Sequence, residues 1–198
     1  MSFRDPGSFL VRLGVVGMLL GPALACSKQE RVDPTAAPIA EFMERVEEYV
    51  ALRNKLADAV GPLDETKSQA EIAARATTLA TTITNARDSA KPGDIFTVEV
   101  ATVFATLIKQ ENSRRADSIQ ETREDQTQEH RVDGLPDFVP KVNQVYPTTY
   151  PLNTFPAQLL PLLPKLPEQV EYRIVGHYLI LRDVEANLIV DFMPNAVP

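Results

Sequence analysis

The chain has 198 residues, and its 20 Lys and Arg against 27 Asp and Glu give a formal charge of −7 at neutral pH. This balance argues against nucleic acid as a partner, because nucleic-acid binding depends on a basic surface. A single cysteine excludes an intrachain disulfide framework and any zinc site built from several cysteines. The hydrophobic fraction of 44% is typical of a folded globular protein.

The first 25 residues have the pattern of an export signal. Arg4 and Arg12 form a short positive region, and the 13 residues of 13–25 carry no charge. A helix needs about 20 apolar residues to span a bilayer, so this run is too short for a permanent transmembrane anchor. It has the length of a signal-peptide core and ends in the small-x-small pattern Ala-Leu-Ala. We therefore expect cleavage after Ala25.

The only cysteine, Cys26, directly follows this cleavage pattern. Residues 23–26 resemble the lipobox of bacterial lipoproteins, in which the cysteine becomes the acylated first residue, although Ala23 stands where that family prefers leucine. Ser27 resembles the outer-membrane sorting pattern of the same class. We therefore expect a lipid anchor at the outer membrane, facing the periplasm. The alternative is ordinary cleavage that leaves a free thiol on a soluble periplasmic or secreted protein.

Cleavage would remove two arginines and one aspartate, leaving 18 positive and 26 negative groups and a net charge of −8. Anionic lipid repels such a body, so attachment to the membrane would depend on the acyl chains. We interpret residues 26–35 as a tether, 36–132 as a helical region, and 133–198 as a Pro-rich segment followed by a small sheet. The predicted fold class is α+β, with an N-terminal three-helix bundle and a C-terminal three-stranded antiparallel meander.

Two amphipathic helices are predicted first. Apolar residues at spacings of three and four indicate a helix over 36–60, with Thr35 as its N-cap. Ser68 and Glu71 form a capping-box pattern, which begins a second helix over 68–90.

The next segment is ambiguous. Lys91-Pro92-Gly93-Asp94 predicts a type II turn, and the β-branched residues of 95–108 are compatible with a strand. The helical spacing of their large apolar side chains, with Thr97 as a cap, favours a third helix. The highly charged run 109–131 indicates a solvated helical extension or a linker.

The C-terminal strands have a predicted register. A two-residue turn at Gly176-His177 places Val175 opposite Tyr178 and Glu171 opposite Arg182. A four-residue turn at 184–187 then places Leu181 opposite Val190, which leaves Asp191 on the outward face. Eight of the 16 prolines lie between Pro136 and Pro167, and this apolar Pro-rich stretch is expected to cover the sheet and helices.

Histidines and carboxylates are the candidate chemical groups. His130 lies in the charged run, and its expected role is that of a solvated residue; His177 is expected to be exposed in a turn. Neither belongs to a metal-binding pattern, so no metal or cofactor is predicted. Asp183 and Asp191 lie on strands, where we expect Asp183 at a strand end and Asp191 in a surface ion pair near Arg182.

Two runs carry a family resemblance, KPGDIFT at 91–97 and YRIVGHYLILRDVEANLIVDFMPNA at 172–196. They resemble an uncharacterised family of exported bacterial proteins. The resemblance implies an envelope protein and assigns no activity and no site.

Three functions follow as hypotheses. The first is a lipid-anchored, non-catalytic interaction or structural protein with an envelope protein as partner. The second is a periplasmic hydrolase that uses His177 with Asp183 or Asp191. The third is a domain with an apolar ligand pocket between the Pro-rich segment and the helices.

Overall fold

The computed structural model describes residues 33–62, 68–119, 138–147 and 159–196, all within one compact unit that begins at Asp33. The predictions for Ala25, Cys26 and His130 lie outside these residues. The described elements, in chain order, are α1 (Ala36–Val60), α2 (Gln69–Ala86), α3 (Val98–Ile119), a short 3-10 helix (Leu160–Leu162), β1 (Val170–Val175), β2 (Tyr178–Asp183) and β3 (Leu188–Met193). The predicted α+β fold is confirmed.

Helix α1 packs against both other helices and, along one stripe, against the sheet. Its bounds match the prediction, and Thr35 occupies the N-cap position. The Thr35 side chain does not cap the helix, because its hydroxyl donates to Asp33 at 2.8 Å. The buried stripe advances by three or four residues at each step and includes one charged residue; its members are Phe42, Val46, Tyr49, Arg53 and Ala57.

Helices α2 and α3 begin at the predicted caps. The Ser68 hydroxyl accepts from the Glu71 amide at 3.4 Å, and α2 ends at Ala86, four residues before the predicted end. The Thr97 hydroxyl accepts from the Val100 amide at 3.4 Å, which places a helix where the sequence was ambiguous. The buried side chains of α3 follow the predicted helical spacing at Val100, Phe104 and Ile108.

The first half of the sheet has the predicted register. The strands are ordered β1-β2-β3 and are antiparallel. Val175 pairs with Tyr178 and Glu171 pairs with Arg182, while Gly176 adopts φ +57° in the turn between them. A positive φ is accessible to glycine at little cost, which allows the tight turn.

The second half of the sheet differs from the prediction. Arg182 pairs with Ile189 as expected, but a register shift follows, and Leu181 pairs with Asp191 rather than with Val190. The shift is a β-bulge, in which one strand holds an extra residue. Residues directly opposite each other share a face, so the bulge turns Asp191 from the outward face to the face that carries Leu181.

Both faces of the sheet are covered. Leu179, Leu181 and Leu188 pack with the helices in one core cluster, whereas Ile180 and Ile189 pack with Tyr146 in a second cluster. Residues 143–146 also hydrogen-bond to the edge of β3, where the amide of Ile189 donates to the carbonyl of Gln144 at 2.8 Å. The described part of the Pro-rich segment therefore belongs to the core, as predicted.

Candidate functional site

A buried polar cluster forms where α1 meets the end of β2. Asp183 is fully buried, and its Oδ2 accepts from the Tyr49 hydroxyl at 2.9 Å and from Nε of Arg53 at 3.2 Å. Its Oδ1 accepts from the amide of Ala186 at 2.7 Å, inside the β2–β3 turn. Burial and the adjacent Asp183 charge raise the pKa of the Tyr49 hydroxyl, so Tyr49 remains a neutral donor.

The cluster continues through the β2–β3 turn to α2. Glu185 lies between two arginines: Nη2 of Arg53 donates to its Oε2, and Nε of Arg75 lies 3.1 Å from its Oε1. Arg53 is thus shared by two carboxylates, Asp183 and Glu185. Among the described residues, Arg75 has this single charge contact, and its Nη1 is buried without a hydrogen-bond partner.

An open cavity of about 340 Å³ lies beside this cluster among the described residues. Its lining combines both charge signs with small residues at the end of α1; the lining residues are Arg53, Asn54, Ala57, Asp58, Gly61, Pro62, Arg75 and Glu185. The volume falls within the range of about 300–1,000 Å³ that small-molecule sites occupy. This cavity is the candidate binding site among the described residues.

A second buried carboxylate lies on β3. Asp191 is fully buried, and backbone amides hold both of its oxygens. Oδ2 accepts from Ile95 at 2.7 Å and from Phe96 at 2.8 Å, while Oδ1 accepts from Gly93 at 3.0 Å and from Phe192 at 2.8 Å. Asp191 therefore fixes the turn before α3 to the sheet.

The predicted surface location of Asp191 is wrong, whereas Asp183 lies at a strand end as predicted. Asp183 ends β2, and its carboxylate faces α1. Asp191 is turned inward by the β-bulge. Arg182 instead donates to Glu171, its predicted cross-strand partner, and to Asn187 at 2.7 Å. Burial raises the pKa of Asp191, and its four amide donors act in the opposite direction.

A partly buried cation, Arg87, lies between the two carboxylate sites. Arg87 lies over the ring of Tyr49, with 5.0 Å from Cζ to the ring centroid, and donates to Asn143 at 3.1 Å and to the carbonyl of Val190 at 3.2 Å. Burial lowers the pKa of Arg87. Its contacts connect the end of α2 with β3 and the Pro-rich segment.

The structure does not bring His177 together with either aspartate. His177 is exposed in the β1–β2 turn, at the opposite end of β2 from Asp183. At about 3.3 Å per strand residue, roughly 20 Å separates them. Asp191 lies opposite Leu181, so it too is removed from the turn. This arrangement gives no support to a hydrolytic site built on His177.

Sequence reasoning missed the arginines of the cavity. A signal existed for Arg53, which lies four residues after Tyr49 and four before Ala57, on the apolar stripe of α1. A charged residue at such a position is buried and requires a partner. No comparable local signal marks Arg75, because its partner Glu185 lies in a turn 110 residues later in the chain.

Within the described ranges, no group of three or more His, Cys, Asp or Glu could hold a metal ion, and no helix is long and apolar enough to cross a membrane. Comparisons with protein-family models, curated proteins and solved structures found no match to this chain.

Proposed function

We propose that the chain is an exported, lipid-anchored protein of the bacterial cell envelope that acts by binding rather than by catalysis. The observation that carries this proposal is the uncharged run 13–25, which ends in Ala-Leu-Ala immediately before Cys26. This pattern is typical of a signal peptide whose cleavage exposes a cysteine for acylation. The resemblance of 91–97 and 172–196 to exported bacterial proteins points in the same direction.

The polar side chains of the described residues support a binding role. Asp183 and Asp191 are the candidate catalytic carboxylates of the sheet, and hydrogen bonds within the fold occupy both of them. The cavity beside Arg53 and Arg75 is a space that a ligand could enter. Charged residues line it, so its character differs from the apolar pocket that the third hypothesis requires.

Membrane fractionation tests the anchor. We expect the native protein in the outer-membrane fraction, where detergent but not high salt releases it, and we expect Cys26→Ser in the soluble fraction. Ser27→Asp serves as a matched variant, since it keeps Cys26 and should move the protein to the inner membrane. Identical fractionation of native protein and Cys26→Ser would contradict the proposal.

Mass spectrometry of the purified N-terminus provides the second readout. The expected species begins at Cys26 and carries a diacylglycerol mass. A chain that still begins at Met1, or a mature chain with an unmodified thiol, would contradict lipid anchoring.

The envelope partner is tested by cross-linking in intact cells. We expect one dominant adduct with native protein, and its loss or sharp reduction with Cys26→Ser, because the anchor would hold the body near a membrane partner. Turnover of a substrate by the purified protein would contradict the non-catalytic role.

A further inference from the structure

The first peptide bond of the compact unit joins Asp33 to Pro34, directly before α1. Both residues are exposed, so water and protons reach the bond. Proline is linked through a tertiary amide, and breaking such a bond releases a secondary amine. Its nitrogen accepts a proton more readily than an ordinary peptide nitrogen, which makes it the better leaving group in acid.

The carboxylate of Asp33 is folded back over this bond. Its Oδ1 accepts from the amide of Thr35 at 2.9 Å and from the Thr35 hydroxyl at 2.8 Å. The loop that these hydrogen bonds close contains the bond between Asp33 and Pro34, so the carboxylate is kept near the carbonyl carbon of Asp33. Its Oδ2 has no hydrogen bond to any described residue and is available as a nucleophile.

The carbonyl group of Asp33 is polarised by the start of α1. Its oxygen accepts from the amide of Ala36 at 3.1 Å. A hydrogen bond at this oxygen stabilises the negative charge that develops there during nucleophilic attack. The carboxylate oxygen and the carbonyl carbon belong to the same residue, so the attack closes a small ring and benefits from a high effective concentration.

We propose that the bond between Asp33 and Pro34 is an acid-dependent self-cleavage site that separates the folded unit from the preceding chain. Oδ2 forms a bond to the carbonyl carbon, the bond to the nitrogen of Pro34 breaks, and its electron pair stays on the nitrogen, which takes a proton from solution. Water then opens the cyclic anhydride, leaving Asp33 as a new C-terminus and Pro34 as a new N-terminus. Release of the folded unit from the membrane rests on the proposed lipid anchor, whereas the cleavage itself does not.

The requirements of this reaction determine its pH dependence. The carboxylate must be ionised while the departing nitrogen takes up a proton, so cleavage should accelerate as pH falls and level off below the pKa of Asp33. The amide and hydroxyl of Thr35 lower that pKa, which extends the acceleration to lower pH. Residues 36–40 carry no charge, and the first charged residue of α1, Glu41, already pairs with Arg45. The dependence is therefore determined by Asp33 and Thr35.

Intact-mass spectrometry of the full purified chain in detergent tests the proposal after several days of incubation between about pH 4 and about pH 7. We expect a fragment that begins at Pro34, formed about tenfold faster for each unit of pH decrease above the pKa of Asp33. The same spectra contain an internal control, because the exposed Asp88 is followed by serine and should not be cleaved. Circular dichroism verifies that the chain stays folded at each pH.

Two variants and one peptide separate the contributions to cleavage. Asp33→Asn keeps an acceptor for Thr35 but removes the nucleophile, and it should slow cleavage by at least about tenfold. Thr35→Val keeps the shape of the side chain and removes the hydroxyl, so cleavage should level off at a higher pH. A synthetic peptide of residues 29–38 has the same bond without the folded unit and should be cleaved several-fold more slowly at the same pH.

Three results would overturn the inference. They are the absence of a fragment that begins at Pro34 at the lowest pH, equal rates for the native protein and Asp33→Asn, and a peptide that is cleaved as fast as the native protein. Failure of the proposed function is recognised separately. A chain without lipid that yields the Pro34 fragment contradicts the anchor and supports the inference, whereas a lipidated chain that stays intact does the reverse.

Discussion

The two buried carboxylates of the sheet are satisfied by different kinds of donor. Asp183 is held by side chains of α1, a tyrosine and an arginine, together with one amide of its own turn. Asp191 is held entirely by backbone amides, three of them from the turn before α3. Asp183 thus belongs to a network of charges that extends to the cavity, whereas Asp191 fixes two segments of backbone to each other.

This difference determines how each site responds to change. A side-chain donor can rotate, recruit water or be replaced by another donor. The backbone amides of Ile95 and Phe96 cannot move without moving the turn and the start of α3. We therefore expect the Asp191 site to be the less tolerant of the two, and three measurements test this contrast.

The largest effect is expected for Asp191→Ala, which leaves the buried amides of Ile95 and Phe96 without acceptors. We predict a loss of about 4 kcal/mol in the free energy of unfolding. Urea unfolding followed by circular dichroism measures it. Asp88→Ala, at an exposed position, should change the free energy by less than about 0.5 kcal/mol. The contrast fails if Asp183→Ala proves more destabilising than Asp191→Ala.

An intermediate effect is expected from the buried pair of Arg53 and Asp183. Arg53→Met leaves Asp183 buried without its cation and should reduce the free energy of unfolding by about 3 kcal/mol. Asp183→Asn removes the uncompensated charge, so the double variant should recover about 2 kcal/mol relative to the sum of the single changes. Urea unfolding of the native protein, the two single variants and the double variant completes the double-mutant cycle. Strict additivity would mean that the two side chains do not act as a pair.

The smallest effect is the alkaline response of the Asp183 site. Burial raises the pKa of Tyr49, so above pH 10 the unfolded chain releases the tyrosine proton while the folded chain retains it. Stability should therefore fall as pH rises, by up to about 1.4 kcal/mol per pH unit for each such tyrosine. The Tyr172 hydroxyl has a pKa raised by burial as well and adds its own share.

Tyr49→Phe isolates this contribution. We expect the variant to lose less stability than the native protein between about pH 9 and about pH 11, because one of the buried tyrosine protons is gone. The change with pH is the decisive quantity, since Tyr49→Phe also removes a donor to Asp183 at every pH. An equal decline in both proteins would show that Tyr49 ionises in the folded state as it does in the unfolded chain.

Local patterns were sufficient for the starts of the helices and for half of the sheet. The periodicity of 36–60, the cap at Ser68 and the two-residue turn at Gly176-His177 each depend on residues close in sequence, and the structure follows all three. The bulge in β3 could not be predicted in this way. It is stabilised by amides of Gly93, Ile95 and Phe96, which lie more than 90 residues earlier in the chain.

The candidate site was less predictable than the fold for the same reason. Arg53 was marked by its position on an apolar stripe, but its partners Asp183 and Glu185 are 130 and 132 residues away. Asp191 interrupts an apolar strand. Such a carboxylate is expected to be buried and to need hydrogen-bond donors, but the sequence does not show which residues supply them. Periodicity shows which face a residue occupies, and only the tertiary structure shows what it meets there.

The long separations in these contacts also have a consequence for the order of folding. Helix α1 is synthesised well before β2, so Arg53 and Tyr49 can meet Asp183 only after most of the chain has emerged. Contacts of this separation close large loops and are gained late and slowly, even when the individual helices form quickly. A nascent chain therefore carries an unneutralised arginine on the apolar stripe of α1. Burial of this charge without a partner is unfavourable. We therefore expect α1 to pack into the core only once β2 is in place.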